Sequence, residues 1–87
     1  MALMFPNASR SYDATRRAVR FWGYERAMEW SFFVTEDALK RLNPAMDRDE
    51  TGMLGAFDAH RDRICAAAAK VYGAAQKGSY ELGAADL

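Results

Sequence analysis

The sequence predicts an α+β domain in which an antiparallel sheet of three to four strands carries two helices on one face. Two observations lead to this prediction. The first half of the chain alternates apolar and polar residues with a period of two, as half-buried strands do. The second half spaces its apolar residues by three and four, as amphipathic helices do. The predicted order of elements is β-β-β-α-α-β.

Local signals divide the 87 residues into the elements of one domain. The predicted elements are an N-terminal arm over residues 1–8, a β-meander over 9–34, a short helix over 35–43, a long helix over 47–76, and a C-terminal strand with its tail over 79–87. Apolar residues make up 51% of the chain, which is enough for a hydrophobic core and argues against a disordered protein.

The meander is predicted from its alternating runs. The first strand begins at Tyr12, and apolar and polar side chains then alternate over residues 19–22 and again over 28–34. We predict turns near residues 13–16 and 23–26, where turn-forming residues interrupt the pattern. Together these segments form three antiparallel strands.

The helices are predicted from their ends. Thr35 caps the short helix with its hydroxyl, and two acidic residues follow it. Asn43-Pro44 ends that helix, because proline disfavours helix in the residue before it and has no N–H to donate. Asp47, with Glu50 three residues later, resembles a capping box that opens the long helix. The apolar face of the long helix comprises Leu54, Phe57, Ile64, Ala68 and Val71.

Residues spread along the chain also carry a family resemblance. They are Phe5-Pro6-Asn7, Tyr12-Asp13, Val19-Arg20-Phe21 with Gly23, Ala38-Leu39, Phe57, and Tyr80-x-Leu82 with Asp86. In their order and spacing, these residues resemble the bacterial domain of unknown function family 1488 over nearly the whole chain. The resemblance implies a small α+β fold and no established activity or catalytic residues.

Charge and cysteine content narrow the classes of function. The 12 basic residues balance the 12 acidic ones, whereas a protein that neutralises many phosphates usually has a basic excess. Zero net charge also removes long-range repulsion between copies, which favours self-association. Cys65 is the only cysteine, so an internal disulfide and a cysteine-based zinc site are excluded. With no apolar run long enough to cross a bilayer, we predict a cytoplasmic protein without a membrane partner.

One segment resembles a calcium-binding EF-hand loop. Asp47, Asp49 and Thr51 supply oxygens at alternate positions, a glycine follows, and Asp58 stands at the twelfth position. Against this alternative, Asn43-Pro44 interrupts the entering helix, Asp58 is shorter than the usual glutamate, and no second hand is present. The competing interpretation is an acidic cap on the long helix.

Catalytic candidates are few. His60, the only histidine, has no helical neighbour that could orient it as a base or share a metal, so we interpret it as structural. Cys65 precedes a run of alanines and is predicted to pack, although Arg61 one turn earlier favours its thiolate. No nucleotide-binding glycine motif is present, and we predict no cofactor. An enzymatic alternative would need His60 to meet a sheet carboxylate such as Glu29.

The most informative surface is the sheet face away from the helices. If Val19 and Phe21 face the helices, the intervening residues of the strand face solvent. The predicted interaction surface comprises Arg17, Arg20, Trp22, Tyr24 and Phe33. Trp, Tyr and Arg are the residues enriched as anchors of protein interfaces.

Three uses of this face remain open at the level of sequence. The first is self-association or binding of a protein partner by a non-enzymatic interaction module. The second is intramolecular cover, in which the arm from Leu3 to Ala8 folds across the rings. The third is weak binding of single-stranded nucleic acid, with bases stacked on the rings and phosphates held by Arg16, Arg17 and Arg20.

Overall fold

The computed structural model describes residues 3–74 and 79–87. Its elements are β1 (Ser11–Asp13), β2 (Ala18–Glu25), β3 (Met28–Thr35), α1 (Glu36–Leu42), α2 (Glu50–Ala59), α3 (Arg61–Ala74), β4 (Ser79–Leu82) and a 3₁₀ turn (Ala84–Asp86). The predicted α+β class is confirmed. Residues 1–2 of the predicted arm and 75–76 of the predicted long helix lie outside the described residues.

The four strands form one sheet in the order β1-β2-β3-β4. The first three are antiparallel, as predicted, but β4 runs parallel to β3. The sheet is therefore mixed rather than wholly antiparallel. In the described part of the connection, three helices separate β3 from β4, and such a crossover is what a parallel neighbour requires.

The β2–β3 hairpin turns later than predicted. Glu25 pairs with Met28, so the two-residue turn consists of Arg26 and Ala27, with Arg26 at a φ of 58°. Gly23 lies inside β2 instead. A Cβ there would lie 2.9 Å from ring atoms of both Phe32 and Phe5, so the glycine permits close packing and does not form a turn.

The predicted cap of the short helix is confirmed, and that of the next helix is wrong. The Thr35 hydroxyl accepts a hydrogen bond from the Ala38 N–H at 3.2 Å. In α2 the cap is Asp49, whose carboxylate accepts from the Gly52 N–H at 2.7 Å, and not Asp47. Helix α2 thus begins later than the capping-box pattern predicted.

The predicted long helix is two helices that meet at His60. His60 is the C-cap of α2, with a non-helical φ of −119°, and its N–H donates to the carbonyls of Ala56 and Phe57 at 3.1 and 3.2 Å. Helix α3 starts at the next residue. The break lets α2 pack against β1 and β2 while α3 packs against β4. The predicted two helices on one face are therefore three.

The core lies between the sheet and these helices. Val19, Phe21, Phe32 and Val34 contribute from the central strands, and each is fully buried. The Phe21 ring lies 5.1 Å from that of Phe57 on α2, between ring centroids. Of the two orientations that the alternation in β2 allows, the structure has the one in which Val19 and Phe21 face the helices.

Candidate interaction surface

The side of the sheet opposite the helices is a continuous surface, which we call the outer face. Cross-strand pairing assigns its members, because directly paired residues point to the same side. They are Ser11 and Asp13 on β1, Arg20, Trp22 and Tyr24 on β2, Glu29, Ser31 and Phe33 on β3, and Ser79 and Glu81 on β4. The outer face thus contains three of the predicted aromatic and basic residues on one strand and Phe33 on its neighbour.

Two arginines stack on the rings of the outer face. The Arg16 guanidinium lies 4.2 Å from the Phe33 ring centroid. That of Arg20 lies 5.2 Å from the Trp22 centroid and 5.6 Å from the Phe33 centroid. Arg20 also donates from Nη2 to the Ser31 hydroxyl at 2.9 Å. These contacts form an ordered Arg–aromatic stack of Arg16, Phe33, Arg20 and Trp22.

The stack differs from the prediction in two members. Phe33 is only 5% exposed, because the guanidinium groups cover its ring. It therefore packs beneath the arginines and leaves little ring area for contact with a partner. Arg17 turns away from the stack, and its Nε donates to Glu36 at 2.5 Å. Arg16, which lies in the turn before β2, takes the place predicted for Arg17. A period-two pattern sets side-chain direction only within strands, so it could not choose between these two arginines.

Tyr24 and Glu29 form the other end of the outer face. The Tyr24 hydroxyl donates to the Glu29 carboxylate across the hairpin. This hydrogen bond raises the pKa of Tyr24, although the Asn7 side chain, which donates to the same hydroxyl at 3.3 Å, acts in the opposite direction. Glu29 is exposed and gives this end an acidic group that the sequence prediction did not include.

The N-terminal arm does not cover the rings. Met4 and Tyr24 exchange two backbone hydrogen bonds of 2.8 Å, which places the arm along the edge of β2. Leu3 and Phe5 then point to the opposite side and pack against the core. Met4 faces outward and is 62% exposed. Intramolecular cover by the described part of the arm is therefore wrong, since the arm extends the outer face instead.

The EF-hand alternative is wrong on geometry. Residues from Glu50 to Ala59 form α2, so the segment that would have to wrap around a cation is a helix. Asp58 is paired with Arg10 through two hydrogen bonds of 2.9 and 2.8 Å, and this pairing lowers the pKa of Asp58. The described ranges contain no group of three or more His, Cys, Asp or Glu side chains that could hold a metal ion.

The catalytic alternative finds no geometric support. His60 ends α2 in the helical layer, whereas Glu29 lies on the outer face, so the sheet separates the two side chains. Cys65 is half-buried, and burial raises the pKa of its thiol, outweighing the opposing effect of Arg61. The thiolate that Arg61 was predicted to favour is therefore disfavoured.

A family model described as "Protein of unknown function (DUF1488)" matches residues 3–82. The chain belongs to the DUF1488 family. The predicted resemblance is thus confirmed, and the match extends from the arm through β4.

A solved structure supports the DUF1488 fold. It is the crystal structure of a protein of unknown function from the DUF1488 family of Shewanella loihica PV-4. The TM-score is 0.81, with 17% sequence identity, 92% of this chain covered and 90% of the other. At this identity the similarity shows the fold alone. No curated protein matches the chain. Over the described parts of the DUF1488 domain, none of the helices has the length and apolarity needed to cross a membrane.

Proposed function

We propose that this DUF1488 domain is a non-enzymatic protein-interaction module that binds its partner through the outer face. The observation that carries the proposal is the Arg–aromatic stack. Trp22 is half-buried and held beside Arg20, so an anchor residue of an interface has a fixed orientation before any partner arrives. Such preorganisation lowers the entropic cost of binding.

The composition around the stack also supports this use. Trp22 is surrounded by polar groups, with Arg20 on one side along β2 and the Tyr24–Glu29 pair on the other. An apolar centre with a polar rim is the arrangement found in protein interfaces. Exposed Met4, beside Tyr24, adds apolar area at the margin.

Site-specific crosslinking tests the proposal. The photoreactive residue p-benzoylphenylalanine replaces Trp22, which keeps an aromatic ring in the outer face, and the variant is irradiated in the organism that encodes the protein. The matched control carries the same residue at Lys70, which is exposed on α3 in the helical layer. We expect a protein adduct from position 22 and none from position 70. Equal adducts from both positions, or none from either, would contradict the proposal.

Single-stranded nucleic acid is the alternative partner, and the arrangement of the rings supports it less. The Phe33 ring is covered by guanidinium groups, so it is not available for a base to stack on. Glu29 and Glu81 lie on the same face and would repel phosphates. Tryptophan fluorescence during titration with an oligonucleotide at low salt tests this alternative. A response that disappears steeply as salt rises would favour nucleic acid over protein.

A further inference from the structure

We infer that the partner of the outer face is a second copy of this chain, related to the first by a two-fold axis that crosses the strands at Trp22. This inference rests on the proposed function and names its partner. Along β2 and β3, Arg20 and Glu29 place opposite charges on either side of the Trp22–Ser31 cross-strand pair.

The outer face has an Arg20 end and a Glu29 end, on either side of Trp22. Arg20 precedes Trp22 by two residues, and the neighbouring Arg16, which stacks on Phe33, lies 3.6 Å from the Asp13 carboxylate that offsets its charge. Tyr24 follows Trp22 by two residues and holds Glu29 across the hairpin. Two residues of strand span about 7 Å, so both ends lie within the contact area of one small interface. Arg20 and Glu29 are both exposed to solvent.

A two-fold axis at Trp22 makes these ends complementary. Rotation about an axis that lies in the interface and crosses the strands reverses the strand direction. Trp22 then meets Trp22 of the second copy, and the Arg20 end meets the Glu29 end of the second copy. The symmetry produces this charge contact twice. The strands of the two sheets stay nearly aligned, which is the usual geometry for sheets packed face to face.

Charge complementarity favours a second copy over a partner of one charge sign. An acidic segment would meet Glu29, and a basic segment would meet Arg20, whereas a copy of the face in reverse orientation satisfies both ends. The chain as a whole is neutral, with 12 basic and 12 acidic residues, so no net repulsion opposes the pairing of copies.

The main alternative arrangement of the dimer uses a different two-fold axis. Glu81 lies beside Phe33 on β4, and a two-fold axis running along β3 would bring Arg20 to Glu81 of the second copy. That arrangement sets Trp22 against Ser79 and leaves the tryptophan away from the centre. Since interface anchors concentrate at the centre, where water is excluded, we assign the axis that crosses the strands.

Charge exchange between copies tests the inference. In the purified chain, we expect Arg20→Glu and Glu29→Arg each to weaken the dimer by about tenfold or more, because each places like charges in contact. An equimolar mixture of the two variants should form a heterodimer of near wild-type affinity, since Glu at position 20 faces Arg at position 29 and the other contact stays native. Light scattering during size exclusion measures mass, and native mass spectrometry identifies the mixed species.

Two control variants test whether the weakening comes from the reversed charge and from the assigned axis. Arg20→Gln removes the charge without reversing it and should weaken the dimer less than Arg20→Glu, while circular dichroism checks that each variant is folded. Glu81→Arg should leave the dimer unchanged. If instead Arg20→Glu pairs with Glu81→Arg and not with Glu29→Arg, the assigned axis is wrong.

Failure of this inference differs from failure of the proposed function. A wild-type chain that stays monomeric up to about 1 mM overturns self-association. If the same chain still forms an adduct at position 22 whose mass is not twice that of the chain, the outer face binds another protein and the proposed function stands. An adduct of twice the chain mass agrees with both. If the wild type dimerises but no substitution on the outer face weakens the dimer, the inference is overturned.

Discussion

Gly52 and Gly55 lie in the same helix, yet their surroundings differ. A Cβ on Gly52 would lie 2.1 Å from the backbone carbonyl oxygen of Asp47, whereas nothing lies within 4 Å of a Cβ on Gly55. Helix propensity counts both glycines as unfavourable to the same extent. The close approach of the chain before α2 therefore gives Gly52 a structural role that Gly55 does not have.

Alanine substitution separates the two glycines. We expect Gly55→Ala to stabilise the domain by about 0.5 to 1 kcal/mol, because it lowers the entropy of the unfolded chain without a clash. Gly52→Ala should destabilise it by about 1 to 3 kcal/mol, since the backbone at Asp47 has to move. Urea unfolding of the two variants and the wild type measures both changes. Stabilisation by Gly52→Ala would contradict the packing described here.

A single residue, Trp22, is expected to account for binding by the outer face. Trp22→Ser removes the central ring, but this ring lies on the side of the sheet opposite the core. We therefore expect the variant to remain folded by circular dichroism and to lose association. Equal affinity for the partner in the variant and the wild type would show that Trp22 is not the anchor. Lys70→Ser, on the helical layer, is the matched control and should change neither property.

At the scale of elements, the N-terminal arm joins the sheet to the helical layer. Arg61, at the start of α3, donates from Nη2 to the Asn7 carbonyl at 2.8 Å and from Nη1 to the Ala8 carbonyl at 3.3 Å. Arg10 adds its two hydrogen bonds to Asp58 on α2. Asp58 and Arg61 lie on either side of His60, so the arm docks at the junction of α2 and α3.

Removing Arg61 should loosen the arm before it unfolds the domain. For Arg61→Ala we expect a loss of about 1 to 2 kcal/mol in the free energy of unfolding, from the lost hydrogen bonds and the lost contact with the Phe57 ring. Hydrogen exchange at the Tyr24 amide, which donates to Met4, should accelerate more than exchange at amides between β2 and β3. Arg63→Ala, exposed on the same helix, is the control. Uniform acceleration across the sheet would argue against a separately mobile arm.

At the scale of the whole molecule, Glu36 ties distant segments together. Its carboxylate accepts from Arg17 in the turn before β2 at 2.5 Å, and from Arg48 in the segment before α2 at 2.6 Å. The Glu36 side chain is only 11% exposed, while both arginines reach solvent. These hydrogen bonds lower the pKa of Glu36. The β1–β2 turn, the start of α1 and the start of α2 therefore share one charge network.

Acid should weaken the fold through this network. Because the pKa of Glu36 is lower in the folded state than in the unfolded chain, its contribution is fully present above the ordinary glutamate pKa of about 4.3 and is lost as the pH falls below that value. Glu36→Gln should lower the urea midpoint at pH 7 and make its fall in acid less steep. The Arg10–Asp58 pair retains part of the slope, since the pKa of Asp58 is also lowered. An unchanged slope would contradict the role of Glu36.

Features that depend on neighbouring residues could be predicted from the amino-acid pattern. The period-two pattern placed Val19 and Phe21 on one side of β2 and Arg20, Trp22 and Tyr24 on the other, because side chains alternate along a strand. Which of the two sides is buried came from the structure. Thr35 was identified as a helix cap because a hydroxyl beside free backbone N–H groups suffices for that role. The family and the α+β class followed from residues spread along the chain.

Features that depend on residues distant in sequence became apparent only in the folded chain. Gly23 is required by the approach of Phe5 and Phe32. The helical crossover allows β4 to pair in parallel with β3, and the break at His60 lets the two helices cover different strands. The same holds for the outer face, where Arg16 and not Arg17 stacks on Phe33, since Glu36 holds Arg17. The physical reason is common to all four: alternation and capping act over a few neighbouring residues, whereas close packing, crossover pairing and ion-pair choice depend on which segments the fold brings together.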